Sequence, residues 1–291
     1  MKAGLVAVLG RPNTGKSSLV NALVGRKVAI VSDKPQTTRR GIRGVLTTDY
    51  AQVMFTDTPG FHKPRTPLGH RLNETVAASV QGVDAIVLVV DGGAGVGRGD
   101  AFVFAQHLDG FRGGRLCAVN KIDLLSHHDV VPQLAAAQEL GEFDDIVPVS
   151  ATKGAGCSEL LRAIVARLPQ GELLFPADQV TDQPVEQRVS EIVREKALER
   201  TREEIPHSIE VVVEELDHGE DLVRIEAVVL VERESQKGIV IGRGGEMLKA
   251  IGTQARRELE VVFGQKVFLG LRVKVAREWQ RDPAALHRLG F

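Results

Sequence analysis

An ammonium, two hydroxyls and a carboxylate stand in this chain at spacings that suit the handling of phosphate. Gly10-Arg11-Pro12-Asn13-Thr14-Gly15-Lys16-Ser17 fits G-x-x-x-x-G-K-[ST] at every fixed position, directly after the apolar run Leu5-Val6-Ala7-Val8-Leu9. The motif needs a buried strand, a glycine-rich turn and a helix, and here the helix is expected to begin near Lys16 and run through Leu23. In such a turn the glycines let backbone N–H groups of the loop turn inward around phosphate oxygens, Lys16 adds a point charge for the β- and γ-phosphates, and the Ser17 hydroxyl ligates Mg²⁺. The expected phosphate-binding set is Gly10, Arg11, Pro12, Asn13, Thr14, Gly15, Lys16, Ser17 and Ser18.

Three further motifs follow, each after an apolar stretch. Asp57-Thr58-Pro59-Gly60 places a carboxylate to hold Mg²⁺ through water and a Gly60 N–H to sense a γ-phosphate. Asn120-Lys121-Ile122-Asp123 names the base. The Asp123 carboxylate can accept the N1–H and 2-amino hydrogens of guanine, whereas adenine would leave it desolvated and unpaired. Asn120 would reach the N7 side and the Lys121 stem would lie along the ring. Ser150, Ala151 and Thr152 belong to a loop that would close over the guanine from its other side. Four such motifs in this order describe a P-loop GTPase that binds GTP or GDP with Mg²⁺.

Hydrolysis needs mainly positioning and charge neutralisation. Many small GTPases carry a glutamine directly after the Asp-x-x-Gly glycine to orient water. Here Phe61 stands there, followed by His62, so another group orients the water or turnover is slow until a partner acts. His62 is read as a solvated loop residue that could reach the pocket. Asn13 is a candidate K⁺ ligand through its side-chain carbonyl, the cation replacing the charge of an arginine finger, with a turn-stabilising role as the other reading. The polar loop Lys34-Pro35-Gln36-Thr37-Thr38-Arg39-Arg40 has the place of a segment ordered by γ-phosphate and Mg²⁺. Thr38 is the favoured metal hydroxyl and γ-phosphate sensor, with Thr37 as runner-up.

These residues have to be carried by elements. Strands are expected around 4–10, 45–57, 85–91, 115–120 and 146–150, alternating with helices, which predicts an α/β domain with a mostly parallel sheet over 1–170. Residues 171–186, rich in proline and polar residues, read as a linker. Residues 187–291 read as helix, two strands joined around Asp217-His218-Gly219-Glu220, two helices broken at Gly242-Arg243-Gly244-Gly245, and a strand through Val275.

That α-β-β-α-α-β order with G-x-x-G between helices resembles a KH domain of the prokaryotic, type II arrangement, an α+β fold in which the glycines let backbone approach nucleotides closely. Basic residues gather there. Lys237, Arg243, Lys249, Arg256 and Arg257 face one acid, Glu246, and Lys266, Arg272, Lys274, Arg277 and Arg281 face Glu278. Single-stranded RNA is the expected ligand, with Lys237, Ile241, Gly242, Arg243, Gly244, Gly245, Lys249 and Arg256 as its contacts. Aromatic residues are scarce there, so clamping of the backbone is expected to dominate. DNA is not expected.

The chain has 291 residues, 43% of them hydrophobic and 26% charged, with a formal net charge of −1. It is therefore no basic nucleic-acid coat as a whole. Cys117 and Cys157 are expected as two reduced thiols. A strand close to the N-terminus leaves no expected signal peptide, and no apolar run approaches a membrane span.

A P-loop GTPase followed by a KH domain is similar to the Era family of bacterial ribosome-assembly GTPases. The likeness extends to Pro35-Gln36-Thr37-Thr38-Arg39, Asp57 to His62, the segment Pro176 to Pro184, Ile241 to Glu246, and the tail from Trp279 to Phe291. Thr14 departs from it, standing where an apolar residue is more usual. The resemblance implies binding of small-subunit ribosomal RNA near its 3′ end, help in assembling the small ribosomal subunit, and a GTP state favouring RNA. It also implies a cytoplasmic location with peripheral association at the inner membrane. The alternative reading is a GTPase acting on membrane or cell-cycle protein partners, with the KH-like half as a docking module.

Overall fold

The computed structural model describes residues 1–61, 63, 64 and 66–291. They form two compact units. The first takes in Met1–Val31 and Gly69–Asp182 with the segment beginning at Thr38, and the second takes in Ser32–Thr37, Thr66–Leu68 and Gln183–Phe291.

The first unit is built from β1 (Lys2–Leu9), α1 (Lys16–Val24), β2 (Ile42–Thr47), β3 (Ala51–Asp57), α2 (Pro67–Ser79), β4 (Ala85–Asp91), α3 (Arg98–His107), β5 (Gly114–Asn120), α4 (His127–Gln138), β6 (Asp145–Pro148) and α5 (Cys157–Arg167). Its sheet runs β2-β3-β1-β4-β5-β6. Every pairing is parallel except β2 with β3. The runs Val6–Leu9, Ala85–Val90 and Leu116–Val119 are buried on both faces, as continuous apolar strands must be when helices cover both sides. Leu19, Val20, Leu160 and Ile164 complete one core, and Val76, Val103, Leu108 and Ala137 the other. The four motifs all follow strands β1, β3, β5 and β6 at their carboxyl ends, where open α/β sheets bind ligands.

The reading of 45–57 as one strand is corrected. It crosses a hairpin, β2 turning into β3 at Thr48-Asp49-Tyr50, with the Thr48 N–H donating to the Ala51 carbonyl at 2.8 Å. The segment after α5 is fastened to this sheet. Gln52 Oε1 accepts from the N–H groups of Leu174 and Phe175 at 2.7 and 3.0 Å, and the Val45 N–H donates to the Val180 carbonyl.

The second unit contains α6 (Val185–Arg200), α7 (Ile205–Ser208), β7 (Glu210–His218), β8 (Leu222–Val231), α8 (Glu234–Ile241), α9 (Glu246–Phe263), β9 (Lys266–Val275) and α10 (Pro283–Arg288). The sheet runs β7-β8-β9, with β9 parallel to β8 and forming an edge. Val223, Ile225, Ala227, Val229 and Val231 point into a core shared with Val189, Val193, Ile251, Ala255 and Leu259, so strand alternation and helix period meet on one seam. Within this unit the buried Arg194 pairs with Glu191 at 2.6 Å and donates to the Thr37 carbonyl. Both cysteine thiols are free and buried.

Candidate functional site

The turn after β1 takes its shape from residues that tolerate unusual backbone. Asn13 and Gly15 lie in the left-handed region at φ 63° and 90°. A Cβ at Gly15 would sit 2.3 Å from Asn120 Nδ2. The buried Thr14 departs from the usual apolar residue without cost, because its hydroxyl donates to the Arg11 carbonyl at 3.1 Å. Arg11 turns its side chain away, pairing with the buried Asp100 at 2.8 Å and donating to the Gly95 carbonyl. It therefore contributes backbone to the loop.

Lys16 opens α1 and is buried. Its ammonium donates to the Gly10 and Arg11 carbonyls at 3.2 and 2.8 Å. Burial lowers its pKa from 10.5 to about 8, against the opposing charge of Asp57. Ser18 follows in the same first turn, half-buried.

Three oxygens converge beside it. Ser17 Oγ donates to Asp57 Oδ2 at 2.7 Å and lies 3.0 Å from Thr38 Oγ1, which donates to the same carboxylate oxygen at 3.1 Å. Two hydroxyls and a buried carboxylate form an all-oxygen set of the kind a hard cation takes, so these residues fit Mg²⁺. The neighbouring threonine is turned elsewhere: Thr37 Oγ1 donates to the Lys34 carbonyl at 2.6 Å and lies 2.7 Å from Ser32 Oγ. Geometry thus separates Thr38 from Thr37.

Gly60 is set against the phosphate loop, its missing Cβ 2.6 Å from Pro12 Cα, and the Phe61 N–H donates to the Gly10 carbonyl at 3.2 Å. The Phe61 ring stacks on Phe102 at 5.4 Å and meets His107 edge-on at 4.9 Å. An apolar ring held in that way orients no water. His62 lies outside the described residues.

The residues expected to read the base close the other end. Asn120 Nδ2 donates to the Thr14 carbonyl at 2.9 Å and its Oδ1 accepts from the Ala151 N–H at 3.1 Å. Lys121, in the left-handed region, stretches its ammonium to the Asn13 carbonyl at 2.7 Å and Asp91 Oδ2 at 2.6 Å, which lays its stem across the space between them. Ser150 Oγ donates to Asp123 Oδ1 at 2.6 Å, with Thr152 Oγ1 at 3.3 Å from the same hydroxyl. The Asp123 carboxylate is thereby fixed in orientation.

In the second unit, Gly242 ends α8 at φ 75° and ψ 172°, where only glycine is at ease, and a Cβ there would meet Met247 Cβ at 2.7 Å. Gly244 and Gly245 also have positive φ, but the space around them is open. A groove of about 880 Å³ starts at Gly245 and runs between α9 and β9 past Leu248, Lys249, Gly252, Arg256 and Phe268. Arg243, Lys249 and Arg256 are exposed and Ile241 is half-buried. Lys237 does not line the groove; it approaches Glu234 at 3.9 Å. Charge counting also overlooked a partner, since Arg272 and Lys274 both engage Glu214, at 2.5 and 2.7 Å. Phe268 was missed altogether. The strand's alternation was its signal, Val267, Leu269 and Leu271 facing the core side and leaving Phe268 on the other.

Residues 5–120 match the family model described as 50S ribosome-binding GTPase, and residues 204–280 match that of the KH domain. The protein called GTPase Era in Mycolicibacterium smegmatis is 46% identical over 100% of this chain and 99% of its own length. That of Mycobacterium tuberculosis is 47% identical over 99% of this chain and 98% of its own length. Among solved structures, Era in complex with MgGDPNP and nucleotides 1506–1542 of 16S ribosomal RNA superposes with a TM-score of 0.96 at 40% identity, covering 100% of this chain and 99% of that one. A variant of Aquifex aeolicus Era bound to GDP·AlF4⁻ gives the same score, identity and coverage.

Proposed function

This chain belongs to the Era family of GTPases, and from that premise we propose that it is a GTP-gated binder of small-subunit ribosomal RNA that assists assembly of the small ribosomal subunit. It hydrolyses GTP to GDP and phosphate. Residues 1–170 form the nucleotide part, 171–186 the connection and 187–291 the RNA-binding part.

The observation that carries the reading is the pairing, in one chain, of the Ser17–Thr38–Asp57 oxygen cluster with a basic groove beginning at a G-x-x-G turn. In the first, the loop from Gly10 to Ser18 and the Lys16 ammonium hold the phosphates. Ser17 and Thr38 would hold Mg²⁺ directly and Asp57 through water. Bound there, Mg²⁺ would supply positive charge against the phosphate oxygens. Asn120, Lys121, Asp123 and the Ser150-Ala151-Thr152 loop select guanine. The Thr38 hydroxyl and the Gly60 N–H are the groups whose positions depend on the γ-phosphate. Because Phe61 is packed away on Phe102, intrinsic turnover is slow.

In the second, Gly244 and Gly245 admit the sugar-phosphate backbone, and Lys249 and Arg256 neutralise it along the groove. The solved relative that carries 16S ribosomal RNA nucleotides supports the choice of RNA. The matched description naming the 50S particle covers residues 5–120 alone, whereas the RNA groove lies beyond them. Among the described residues no helix is long and apolar enough to cross a membrane. We place the protein in the cytoplasm, with any membrane contact peripheral.

The test is binding of small-subunit ribosomal RNA 3′-end oligonucleotides at fixed salt, with a GTP analogue against GDP. Tighter binding in the GTP-like state, lost in Gly244→Asp, is expected. Equal weak binding in both states would overturn the RNA switch and point to a protein or membrane partner.

A further inference from the structure

Phe268 occupies an unusual place. It lies on the edge strand β9, where Lys266, Val267, Phe268 and Leu269 form one wall of the groove, and it is 42% exposed. Its register partner on β8 is Arg224, also exposed, whose guanidinium carbon lies 5.1 Å from the ring centre. A cation over one part of an exposed ring on an unpaired edge leaves a flat, polarised surface beside a channel lined by Lys249, Arg256 and Lys266.

We propose that Phe268 and Arg224 form a stacking subsite for one nucleobase of a single-stranded RNA, where the strand leaves the groove over the edge of β9. The proposal rests on the RNA-binding reading of that groove. Every base has a π-face, so an aromatic side chain and a guanidinium plane hold one without regard to sequence. The phosphates on either side of that base fall between Lys266 and Arg224. Further across the sheet the sign reverses, Asp217 being the β7 register partner of Arg224, and along β9 the Glu226 carboxylate lies over Gly270 on the face that carries Phe268. Asp217 repels a phosphate backbone on the sheet side and Glu226 toward Gly270, which leaves the Lys266 side of Phe268 for the strand's exit. Glu260, also in the groove wall, keeps one oxygen near the Val267 N–H at 3.5 Å.

The experiment uses the full chain with a GTP analogue and a small-subunit ribosomal RNA 3′-end oligonucleotide, carrying 2-aminopurine at one position at a time. Phe268→Leu keeps an apolar side chain without a π-face, Phe268→Trp restores one, and Gly244→Asp reports on the groove itself. Stacking predicts quenching at one position, lost in Phe268→Leu and regained in Phe268→Trp. It also predicts ~10- to 100-fold weaker binding for Phe268→Leu, the range that loss of one base stack gives. The salt slope should be unchanged by Phe268→Leu and shallower in Arg224→Gln. If Phe268→Leu binds like the wild type while Gly244→Asp does not bind, the stacking subsite is wrong and the groove stands. If the wild type itself fails to bind, the reading beneath it has failed. Equal melting temperatures for wild type and Phe268→Leu establish that folding is not what changed.

Discussion

Gly15 and Asn120 are built against each other. The Asn120 side chain reaches the phosphate loop and donates to the Thr14 carbonyl at 2.9 Å, filling the space where a Cβ at position 15 would lie 2.3 Å from Nδ2. The residue proposed to read guanine N7 therefore also braces the loop proposed to hold phosphate. Asn120→Ala should weaken guanine nucleotides by about 2–3 kcal/mol, more than one lost base contact, because the Thr14 carbonyl and Ala151 N–H both lose a partner. Titration with fluorescent GDP measures this. Weakened binding of inorganic tripolyphosphate, which has no base, would identify the bracing part, and unchanged binding would refute it.

Gly15→Ala should do more damage than its size suggests, since it adds both a clash and a side chain at φ 90°. GDP binding should be lost, while the groove in the second unit keeps its affinity for RNA in the absence of nucleotide. A Gly15→Ala protein that binds GDP normally would show that Asn120 is free to move aside.

Lys16 gives the nucleotide site a pH dependence. Its folded-state pKa, lowered to about 8 from 10.5 by burial, means that the unfolded chain binds more protons between those two values. The nucleotide-free protein should therefore gain stability from this group as pH rises from about 8 toward 10.5, the burial cost being fully present below 8. Binding has the opposite sign. Phosphate favours the ammonium, so above pH 8 the free protein must take up a proton to bind GDP, and affinity should fall by up to about tenfold per unit. Calorimetry in buffers of different ionisation enthalpy at pH 9 counts that proton. The count should be near zero in Lys16→Met.

How far the sequence led is clearest at single residues. Gly10 to Ser17 and Asn120 to Asp123 were legible because each motif is contiguous and follows an apolar run that could only be a buried strand. The hairpin within 45–57 was not, because its turn at Thr48-Asp49-Tyr50 has neither glycine nor proline, and the short polar run Thr47-Thr48-Asp49 was its only signal. Thr37 and Thr38 are neighbours in an aperiodic loop, and only the bond of Thr38 to Asp57 tells them apart. The bracing of Thr14 by Asn120 joins residues 106 positions apart, which no local pattern encodes. Counting charges found the basic stretches yet could not see that Glu214 holds Arg272 and Lys274.

Two glycines of the G-x-x-G turn, Gly242 and Gly244, should separate on mutation. Gly242 is structural: its backbone conformation and the nearby Met247 make any side chain costly, so Gly242→Ala should lower the melting temperature by several degrees. Gly244 faces open space at φ 60°, a value that Asp tolerates. Gly244→Asp should thus fold normally and lose RNA by about tenfold or more through charge repulsion. Thermal melts run beside RNA titrations check both halves, and equal melting temperatures for the two variants would contradict the division.

Asn13 supplies the last prediction. Its backbone lies at φ 63° and its backbone carbonyl accepts from Lys121. If the side-chain oxygen coordinates a monovalent cation among the phosphates, GTP turnover should be faster in K⁺ than in Na⁺ at matched ionic strength, since the two ions differ in size. Asn13→Gly removes that oxygen while keeping the backbone at ease, and should abolish the difference between salts without abolishing GDP binding. Equal rates in K⁺ and Na⁺ for the wild type would assign Asn13 to the turn alone.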